Sequence, residues 1–278
     1  MKNKTILLTG AAGKIGSAIR PFLRREYARV RLLDIKPVPE PLESEESIVA
    51  DIRSPDAMHE VMRDVDSAVH LAGIPDEDEW RTIRDVNIDG TFNVMEAARA
   101  RGVRRVVFAS SHHVSAFIEI GTPVALDAPY RPTGLYGVSK AFGETLARLY
   151  AIKFGLSVIC LRIAAFQPQP RDHRQLLLWI SPRDMAQLTV RALEAPDDVR
   201  FLVVFGVSGN DRNPYDLAGW DVLGYAPQDN SERFLGSSSG LQGHPVLPSD
   251  FYLGGDLCVR DDSALGSPPR VPSKSRSR

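Results

Sequence analysis

The chain has few cysteines, no long apolar run and no excess of either charge, and each of these absences excludes a class of protein. Only two of its 278 residues are cysteines, so we expect no disulfide framework and predict a cytoplasmic protein. No apolar run approaches the roughly 20 residues that span a bilayer, and the N-terminus MKNKTILLTG has too short an apolar run for a signal peptide. Neither charge sign dominates, because 34 lysines and arginines stand against 35 aspartates and glutamates. We therefore expect no membrane and no nucleic acid among its partners.

What the chain does contain is an alternation of short apolar runs with longer amphipathic stretches. The runs are typical of strands buried on both faces, and they lie at 5–10, 29–34, 46–51, 67–73, 104–111, 156–163 and 200–208. The amphipathic stretches predict helices at 13–27, 54–63, 79–101, 136–154 and 181–195. This alternation predicts an α/β fold of the Rossmann type, a doubly wound parallel sheet with a small C-terminal substrate-binding region.

The segment TGAAGKIG follows the first predicted strand and enters the first helix. Its glycines, Gly10, Gly13 and Gly16, permit a sharp turn and let backbone amides approach a pyrophosphate at the helix N-terminus. A tight turn without a ligand would use the same glycines. Asp34 favours the dinucleotide, because it ends the second strand, where a carboxylate can bind ribose hydroxyls. That carboxylate would repel a 2′-phosphate, so NAD is predicted rather than NADP, although Lys36 nearby softens the preference.

Two further segments could contact a bound dinucleotide. Asp51, at the end of the third strand, could accept a hydrogen bond from the adenine amino group, and LAG at 71–73 presents small residues and bare backbone. Each has an equally simple alternative, since a strand-end aspartate can cap the next helix and small residues can form a turn.

The stretch FASSHHVSAF, residues 108–117, places two serines directly before two histidines. It could hold a Ser/His nucleophile pair, a metal-binding couple, or a serine whose partner lies elsewhere. On an extended segment His112 and His113 would point to opposite faces, which makes one shared metal ion or one shared serine a poor fit. We predict no metal site and a distant partner for Ser111.

That partner is predicted in the helical pattern LYGVSKAFGETLARLYAIKFG. Tyr136 and Lys140 are four residues apart and share one helix face. A tyrosine of ordinary pKa, about 10, is a poor base at neutral pH. The lysine ammonium and a bound nicotinamide would favour phenolate, and a serine hydroxyl could orient the substrate oxygen. A half-buried tyrosine beside a snorkelling lysine would give the same pattern.

Taken together, the motifs resemble the extended short-chain dehydrogenase/reductases of the NAD-dependent epimerase/dehydratase superfamily. They are TGAAGKIG, Asp34, Asp51-Ile52, HLAG, NIDGTFNVMEAA, FASS and YGVSK, in that order between residues 5 and 235. The resemblance implies a catalytic triad of Ser111, Tyr136 and Lys140, and a homodimer formed through helices 79–101 and 136–154. It implies cofactor contacts at Gly10, Gly13, Lys14, Ile15, Gly16, Asp34, Asp51, Ile52, Leu71, Ala72, Gly73, Asn87, Tyr136 and Lys140.

The same resemblance divides the chain into three parts. We predict an NAD-binding Rossmann domain over 1–165 and a small substrate-binding region over 166–235, interleaved with it. Residues 236–278 form a C-terminal extension rich in Gly, Ser and Pro. Its last ~15 residues are too polar to bury an apolar core and are predicted to be flexible.

Within the family the chain resembles uronate dehydrogenases, which oxidise C1 of a cyclic hexuronic acid with NAD to give a lactone. The shared features are FASSxH, RPxGLYGVSKxFGExLAR, an R…W pair within 168–179 and DN at 229–230. GVSGNDR also resembles an archaeal group that oxidises glucose 6-phosphate with NAD. Both groups oxidise a sugar at C1, and that is the predicted reaction.

The resemblance places the substrate at Pro75, Ser111, His112, His113, Ala165 and Arg174. Arg174 matches the arginine that binds the substrate carboxylate; a guanidinium also suits phosphate, and a solvated loop arginine is the plain alternative. Three positions depart from the pattern: Pro75 and Ala165 replace serines, and His112 replaces an asparagine. They indicate a different sugar or a less polar alcohol.

Two other classes of function remain open at this point. An epimerase or dehydratase would return the hydride and retain its NAD, but dehydratases commonly place acidic residues after the catalytic serine, where this chain has His112 and His113. A non-catalytic NAD-binding protein would be expected to have lost part of the triad, and no member is lost here.

Overall fold

The computed structural model describes residues 1–235 and 248–260. The flexibility predicted for the last ~15 residues lies outside the described residues. The strands are β1 Lys2–Thr9, β2 Tyr27–Asp34, β3 Glu45–Val49, β4 Ser67–His70, β5 Arg105–Ser111, β6 Ser157–Ile163, β7 Ala165–Phe166, β8 Trp179–Ile180 and β9 Phe201–Gly206. The helices are α1 Lys14–Glu26, α2 Pro55–Val61, α3 Trp80–Ile83, α4 Gly90–Ala100, α5 Leu135–Phe154, α6 His173–Leu178, α7 Pro182–Leu193 and α8 Trp220–Leu223.

Seven strands form one parallel sheet in the order β3-β2-β1-β4-β5-β6-β9. Helices cover both faces of this sheet. One face packs on α1 and α7 through residues such as Ile19, Leu23, Met185 and Leu188. The other packs on α2, α4 and α5 through residues such as Met58, Met95 and Tyr150. The predicted doubly wound Rossmann-type fold is confirmed.

The order of the strands locates a binding crevice. From β1 at the centre the chain runs outward through β2 and β3, then crosses back to β4 on the other side of β1. In such sheets ligands bind beyond the carboxyl ends of the strands where the order reverses. The loops after Thr9 and His70, which are register partners in β1 and β4, therefore border the crevice.

Three local features differ from the sequence prediction. Strand β3 is an edge strand, so it is not buried on both faces, and Val49 is exposed. Strand β4 ends at His70, which leaves 71–73 as loop. The helix predicted at 79–101 is interrupted by a π-helical turn, Arg84–Asp89, between α3 and α4. Single π-helical turns often occur at functional sites.

A third apolar cluster lies beside the sheet and supports the predicted substrate region. It contains Leu178, Phe205, Val207 and Tyr215, but also Ala116, Ile118, Val124 and Leu253. The cluster therefore draws on residues before 166 and after 235 as well, and the predicted domain boundaries stay a prediction. Among the described residues, no helix has the length and apolar character needed to cross a membrane.

Candidate active site

The glycine loop is closely fitted to its neighbours at the crevice. Gly10 has a φ of +72°, and a Cβ there would lie 2.7 Å from the backbone nitrogen of Ala72. A Cβ on Gly16 would press on the carbonyl oxygen of Gly10. Only glycine fits these positions, and the loop presents bare backbone at the start of α1, as pyrophosphate binding requires. At the start of α1, Lys14 is exposed and Ile15 half-buried.

Asp34 is held against this loop. Its Oδ2 accepts a hydrogen bond from the Ala12 amide at 3.0 Å, and its Oδ1 accepts one from the Lys36 amide at 3.2 Å. The carboxylate is thus fixed at the end of β2 beside the glycine turn. This is the position from which a carboxylate contacts the ribose hydroxyls in a dinucleotide fold.

The next predicted contact, Asp51, has a partner within its own loop. Arg53 donates to Asp51 Oδ2 at 2.6 and 2.9 Å, and this pairing lowers the pKa of the carboxyl group. Ile52 is buried, and a Cβ on Gly90 would lie 2.6 Å from its Cδ1, so its side chain packs under α4. The predicted adenine contact of Asp51 stays a prediction.

Asn87, in the π-helical turn, joins the loop after β4 to α5. Its Oδ1 accepts from the Ile74 amide at 2.7 Å, and its Nδ2 donates to the Ile74 carbonyl and to Ser139 Oγ, each at 3.1 Å. A Cβ on Gly73 would lie 3.0 Å from Asn87 Oδ1 and 3.8 Å from Lys140 Nζ. Asn87 therefore has a structural role that brings the crevice loop close to Lys140, and its predicted cofactor contact stays a prediction.

Ser111, Tyr136 and Lys140 come together at this crevice. Ser111 ends β5, and its hydroxyl is hydrogen-bonded to the Tyr136 phenol. Lys140 Nζ lies 5.7 Å from the centre of the Tyr136 ring and donates to the Ala109 carbonyl at 2.8 Å. All three residues are buried, which is unusual for a lysine and argues against the snorkelling alternative.

Burial determines the protonation of the pair. It raises the pKa of Tyr136 to about 12, and the hydrogen bond with Ser111 offsets part of this rise. It lowers the pKa of Lys140 to about 8. The protein alone therefore keeps Tyr136 protonated at neutral pH, and an additional positive charge beside the phenol would lower its pKa.

The prediction that His112 and His113 face opposite sides was wrong. A 3₁₀ turn, His112–Val114, begins directly after β5, so the two rings lie 4.2 Å apart. The Nδ1 atom of His112 is 2.9 Å from the Tyr215 hydroxyl, and that of His113 is 2.9 Å from the Thr133 hydroxyl. Over residues 1–235 and 248–260 no three His, Cys, Asp or Glu side chains form a candidate metal site.

Arg174 lies beside this histidine pair. Its positive charge is one cause of the lowered pKa values of both imidazoles, second to burial for His113. Its Nη1 donates to the Leu253 carbonyl at 2.8 Å, and a Cβ on Gly255 would lie 2.8 Å from its Nε. Arg174 is therefore half-buried and held by the 248–260 segment, unlike a solvated loop arginine.

The remaining predicted substrate positions are more peripheral. Pro75 is exposed on the loop after β4, and Ala165 is half-buried in β7, where it pairs with Trp179. Neither side chain offers a hydrogen bond.

Sequence reasoning missed four residues of the site: Glu77, Thr133, Tyr215 and Leu253. The Glu77 carboxylate accepts the backbone amides of Leu135 and Tyr136 at 2.7 and 3.1 Å. Thr133 occupies the variable position of RPxGLYGVSK, and the other three belong to no recognisable motif. Each of the four acts across a long sequence separation. Only the topology brings them to the site.

The comparison with protein families agrees with this geometry. Residues 6–168, more than half of the chain, match the model of the NAD dependent epimerase/dehydratase family. The chain belongs to this family. Membership confirms the resemblance inferred from the motifs, and the matched region contains the glycine loop, Asp34 and the Ser111, Tyr136 and Lys140 cluster.

Individual members of the epimerase/dehydratase family are similar over most of their length. Uronate dehydrogenase of Pseudomonas syringae pv. tomato is 39% identical, over 82% of this chain and 83% of that protein. NAD-dependent glucose-6-phosphate dehydrogenase of Haloferax volcanii is 37% identical, over 88% of this chain and 98% of that protein. The structure of uronate dehydrogenase from Agrobacterium tumefaciens, a variant complexed with NAD, has a TM-score of 0.88 at 36% identity and covers 92% of this chain and 97% of that one.

Proposed function

We propose that this chain is an NAD-dependent dehydrogenase that oxidises the C1 hydroxyl of a sugar acid to a lactone. The observation that carries the proposal is the buried cluster of Ser111, Tyr136 and Lys140 at the end of β5 and the start of α5. The uronate dehydrogenases and the glucose-6-phosphate dehydrogenase to which the chain is similar support it.

The residues present suit a bound dinucleotide. The glycine turn offers bare amides for the pyrophosphate, and Asp34 offers acceptors for the ribose hydroxyls, which favours NAD over NADP. Bound NAD supplies the hydride acceptor and a positive charge. Asp51, 71–73 and Asn87 line the rest of this site in the proposal.

The chemical step divides among three side chains. The Ser111 hydroxyl donates to the reacting oxygen and orients it, while Tyr136 takes the proton from the C1 hydroxyl as the hydride leaves the same carbon. The ammonium of Lys140, near the Tyr136 ring, stabilises the phenolate that takes this proton. One hydride and one proton leave the alcohol, which becomes the lactone carbonyl.

The anionic part of the substrate is assigned to Arg174. A half-buried guanidinium beside two neutral imidazoles suits a carboxylate, which accepts hydrogen bonds and carries one negative charge. Pro75 and Ala165 contribute shape without hydrogen bonds, so the rest of the sugar is held by fewer polar contacts.

We further propose a cytoplasmic homodimer. The helices expected at the interface carry exposed apolar side chains, namely Trp80, Phe92, Val138, Leu149 and Ile152. A monomer would leave these side chains in water.

The decisive experiment is a screen of hexuronates, hexoses and sugar phosphates with NAD and NADP, following NADH absorbance. We expect turnover of a hexuronate with NAD. Tyr136→Phe should then lower kcat/KM by about 10²–10⁴-fold, the range for loss of a general base. Tyr150→Phe on the same helix, whose hydroxyl bonds Glu96, is the matched control.

Two results would contradict the proposal. Near-normal turnover by Tyr136→Phe would remove the assigned base. Conversion of a sugar with no release of NADH would indicate the epimerase or dehydratase reaction, in which the hydride returns to the substrate.

A further inference from the structure

Two hydroxyl groups engage the paired histidines in the same manner. The Tyr215 hydroxyl meets His112 Nδ1, and the Thr133 hydroxyl meets His113 Nδ1, each at 2.9 Å. The partners are 103 and 20 residues apart in the chain. Both hydroxyl-bearing residues are buried, with Tyr215 5% and Thr133 7% exposed.

Burial decides which partner donates. Within the described residues, neither the Tyr215 nor the Thr133 hydroxyl has another hydrogen-bond partner. If each imidazole donated from Nδ1, the hydroxyl hydrogen would be buried without an acceptor, at a substantial desolvation cost. Each hydroxyl therefore donates to Nδ1, and in a neutral imidazole the hydrogen then lies on Nε2.

The two Nε2 atoms are left for a ligand. Neither makes a hydrogen bond to the described residues. In the part of the chain that the structure describes, neither is among the fully buried polar atoms without a partner. Both Nε2 atoms therefore keep some access to solvent, in rings close enough to Arg174 for its charge to lower the pKa of each imidazole.

We propose that Tyr215 and Thr133 are positioning residues that fix His112 and His113 as Nε2–H donors, so that the anionic part of the substrate meets donors and no imidazole acceptor. Such a set selects a group that only accepts, and beside the single positive charge of Arg174 that group is a carboxylate. This inference rests on the proposed function and specifies how the substrate is chosen.

The charge state of the site agrees with this arrangement. Burial and the positive charge of Arg174 lower the pKa of His113 to about 3. Burial, then the charges of His113 and Arg174, lower the pKa of His112 well below its usual value. Within residues 1–235 and 248–260, two tyrosines also face the pair. The Tyr215 ring lies 6.3 Å from the His112 ring, and the Tyr136 ring lies 5.8 Å from the His113 ring. Both phenols are neutral near pH 7, because burial raises their pKa values.

The first test observes the hydrogen directly and needs no activity. Histidine labelled with ¹⁵N in the ring gives NMR signals in which the protonated nitrogen shows a one-bond coupling. The His112→Asn and His113→Asn variants identify the two residues among the six histidines. We expect hydrogen on Nε2 of both rings at pH 6 and at pH 8. Hydrogen on Nδ1 of either ring would overturn the proposal.

Two nearly isosteric variants then remove one hydroxyl each. Tyr215→Phe keeps the ring stacked on Phe205, and Thr133→Val keeps the volume of the side chain. We expect each to weaken the preference for hydrogen on Nε2 of its own histidine and to leave the other unchanged. Tyr225→Phe, which loses a buried hydrogen bond to the Val207 carbonyl, is the control and should change neither histidine.

The kinetic test uses the active enzyme with glucuronate, glucose and glucose 6-phosphate. Tyr215→Phe should raise KM for glucuronate by about three- to tenfold, the loss of roughly one hydrogen bond, with kcat within twofold. The KM for glucose should not change. An equal rise for both sugars, or a preference of the wild type for the phosphate, would contradict the carboxylate assignment.

The proposed function and this inference can be refuted independently of each other. If the wild type turned over none of these sugars, the proposed function would fail while the NMR result still decided the tautomers. If glucuronate were a good substrate and the hydrogens lay on Nδ1, the dehydrogenase would stand and this inference would fall.

Discussion

Glu77 is a single side chain that holds the first turn of the helix carrying Tyr136. Both of its carboxylate oxygens accept amides of this turn, and Gly134 permits the approach, since a Cβ there would collide with the carboxylate. A negative carboxylate at the N-terminal end of the helix also interacts favourably with the helix dipole. Glu77 is therefore a positioning residue that fixes Tyr136 relative to Ser111.

The amide variant Glu77→Gln should disturb this turn with little change in size. Its NH₂ group would face a backbone N–H that needs an acceptor, and the loss of such a cap costs about 1 kcal/mol. We expect kcat to fall by about fivefold, with the KM for NAD within twofold. Glu79→Gln, exposed on the same loop, is the matched control. Wild-type kcat for Glu77→Gln would refute the positioning role.

For single residues, the sequence predicts those that belong to motifs and misses those that reach the site only through long-range contacts. The motifs group Ser111, Tyr136 and Lys140, and the structure brings them together because a parallel strand end and a helix start recur in this fold. Tyr215 and Thr133 were not predicted, since a tyrosine 103 residues from its partner has no local signal. The error over His112 and His113 arose from a turn that begins one residue after the strand.

The segment of residues 248–260 packs beside Arg174, the residue proposed to bind the anionic part of the substrate. Leu253 and Gly254 donate their amides to the carbonyls of Ile118 and Ala116, each at 2.9 Å, and the Leu253 side chain is fully buried. The same stretch supplies the carbonyl that accepts from Arg174. Removing this segment should therefore weaken the binding of the anionic part of the substrate and leave the binding of the cofactor unchanged.

Two truncations test this role. A chain ending at residue 250 loses the acceptor of Arg174, and we expect the KM for glucuronate to rise about tenfold, the cost of a charged hydrogen bond. The Kd for NAD, measured by calorimetry, should stay within twofold. A chain ending at residue 260 retains the contacts and serves as the control. Equal kinetics for the two chains would show that the segment does not position Arg174.

The long elements were predictable, and the short ones were not. Apolar runs and amphipathic stretches located the seven strands of the main sheet and the helices α1, α2, α5 and α7. The two-residue strands β7 and β8 and the short helices α6 and α8 are too brief to show a period. The π-helical turn does not change the apolar pattern enough to be seen.

For the whole molecule the open question is assembly. Burying the exposed apolar side chains of α4 and α5 would stabilise a dimer by the hydrophobic effect. We expect sedimentation at micromolar concentration to give twice the chain mass of 30.6 kDa. Replacing Leu149 and Ile152 by lysine should give the single-chain mass.

Val49→Lys is the control for this measurement. Val49 is equally apolar and 59% exposed, but it lies on the edge strand β3. This variant should remain a dimer. A wild-type chain that sediments as a monomer would remove the proposed interface.

The fold of the whole molecule follows from the sequence more fully than its division into parts. Alternating strands and helices leave few arrangements open, and the doubly wound sheet was one of them. The third apolar cluster joins Ala116 and Val124 to Phe205 and Leu253, on both sides of the boundaries at 165 and 235, which stay a prediction. Such a cluster depends on long-range packing, which no local pattern records.

The pairing of Leu253 with Ile118 also has a consequence for biosynthesis. A ribosome completes β1 to β9 before it makes Leu253, so the nascent chain can form its glycine loop and the Tyr136 cluster first. The loop that the pairing closes spans more than a hundred residues, and closing it carries an entropic cost that earlier folding of the sheet reduces. The Leu253 carbonyl, which accepts a hydrogen bond from Arg174, is therefore synthesised late. Dinucleotide binding should precede sugar selectivity as the chain matures.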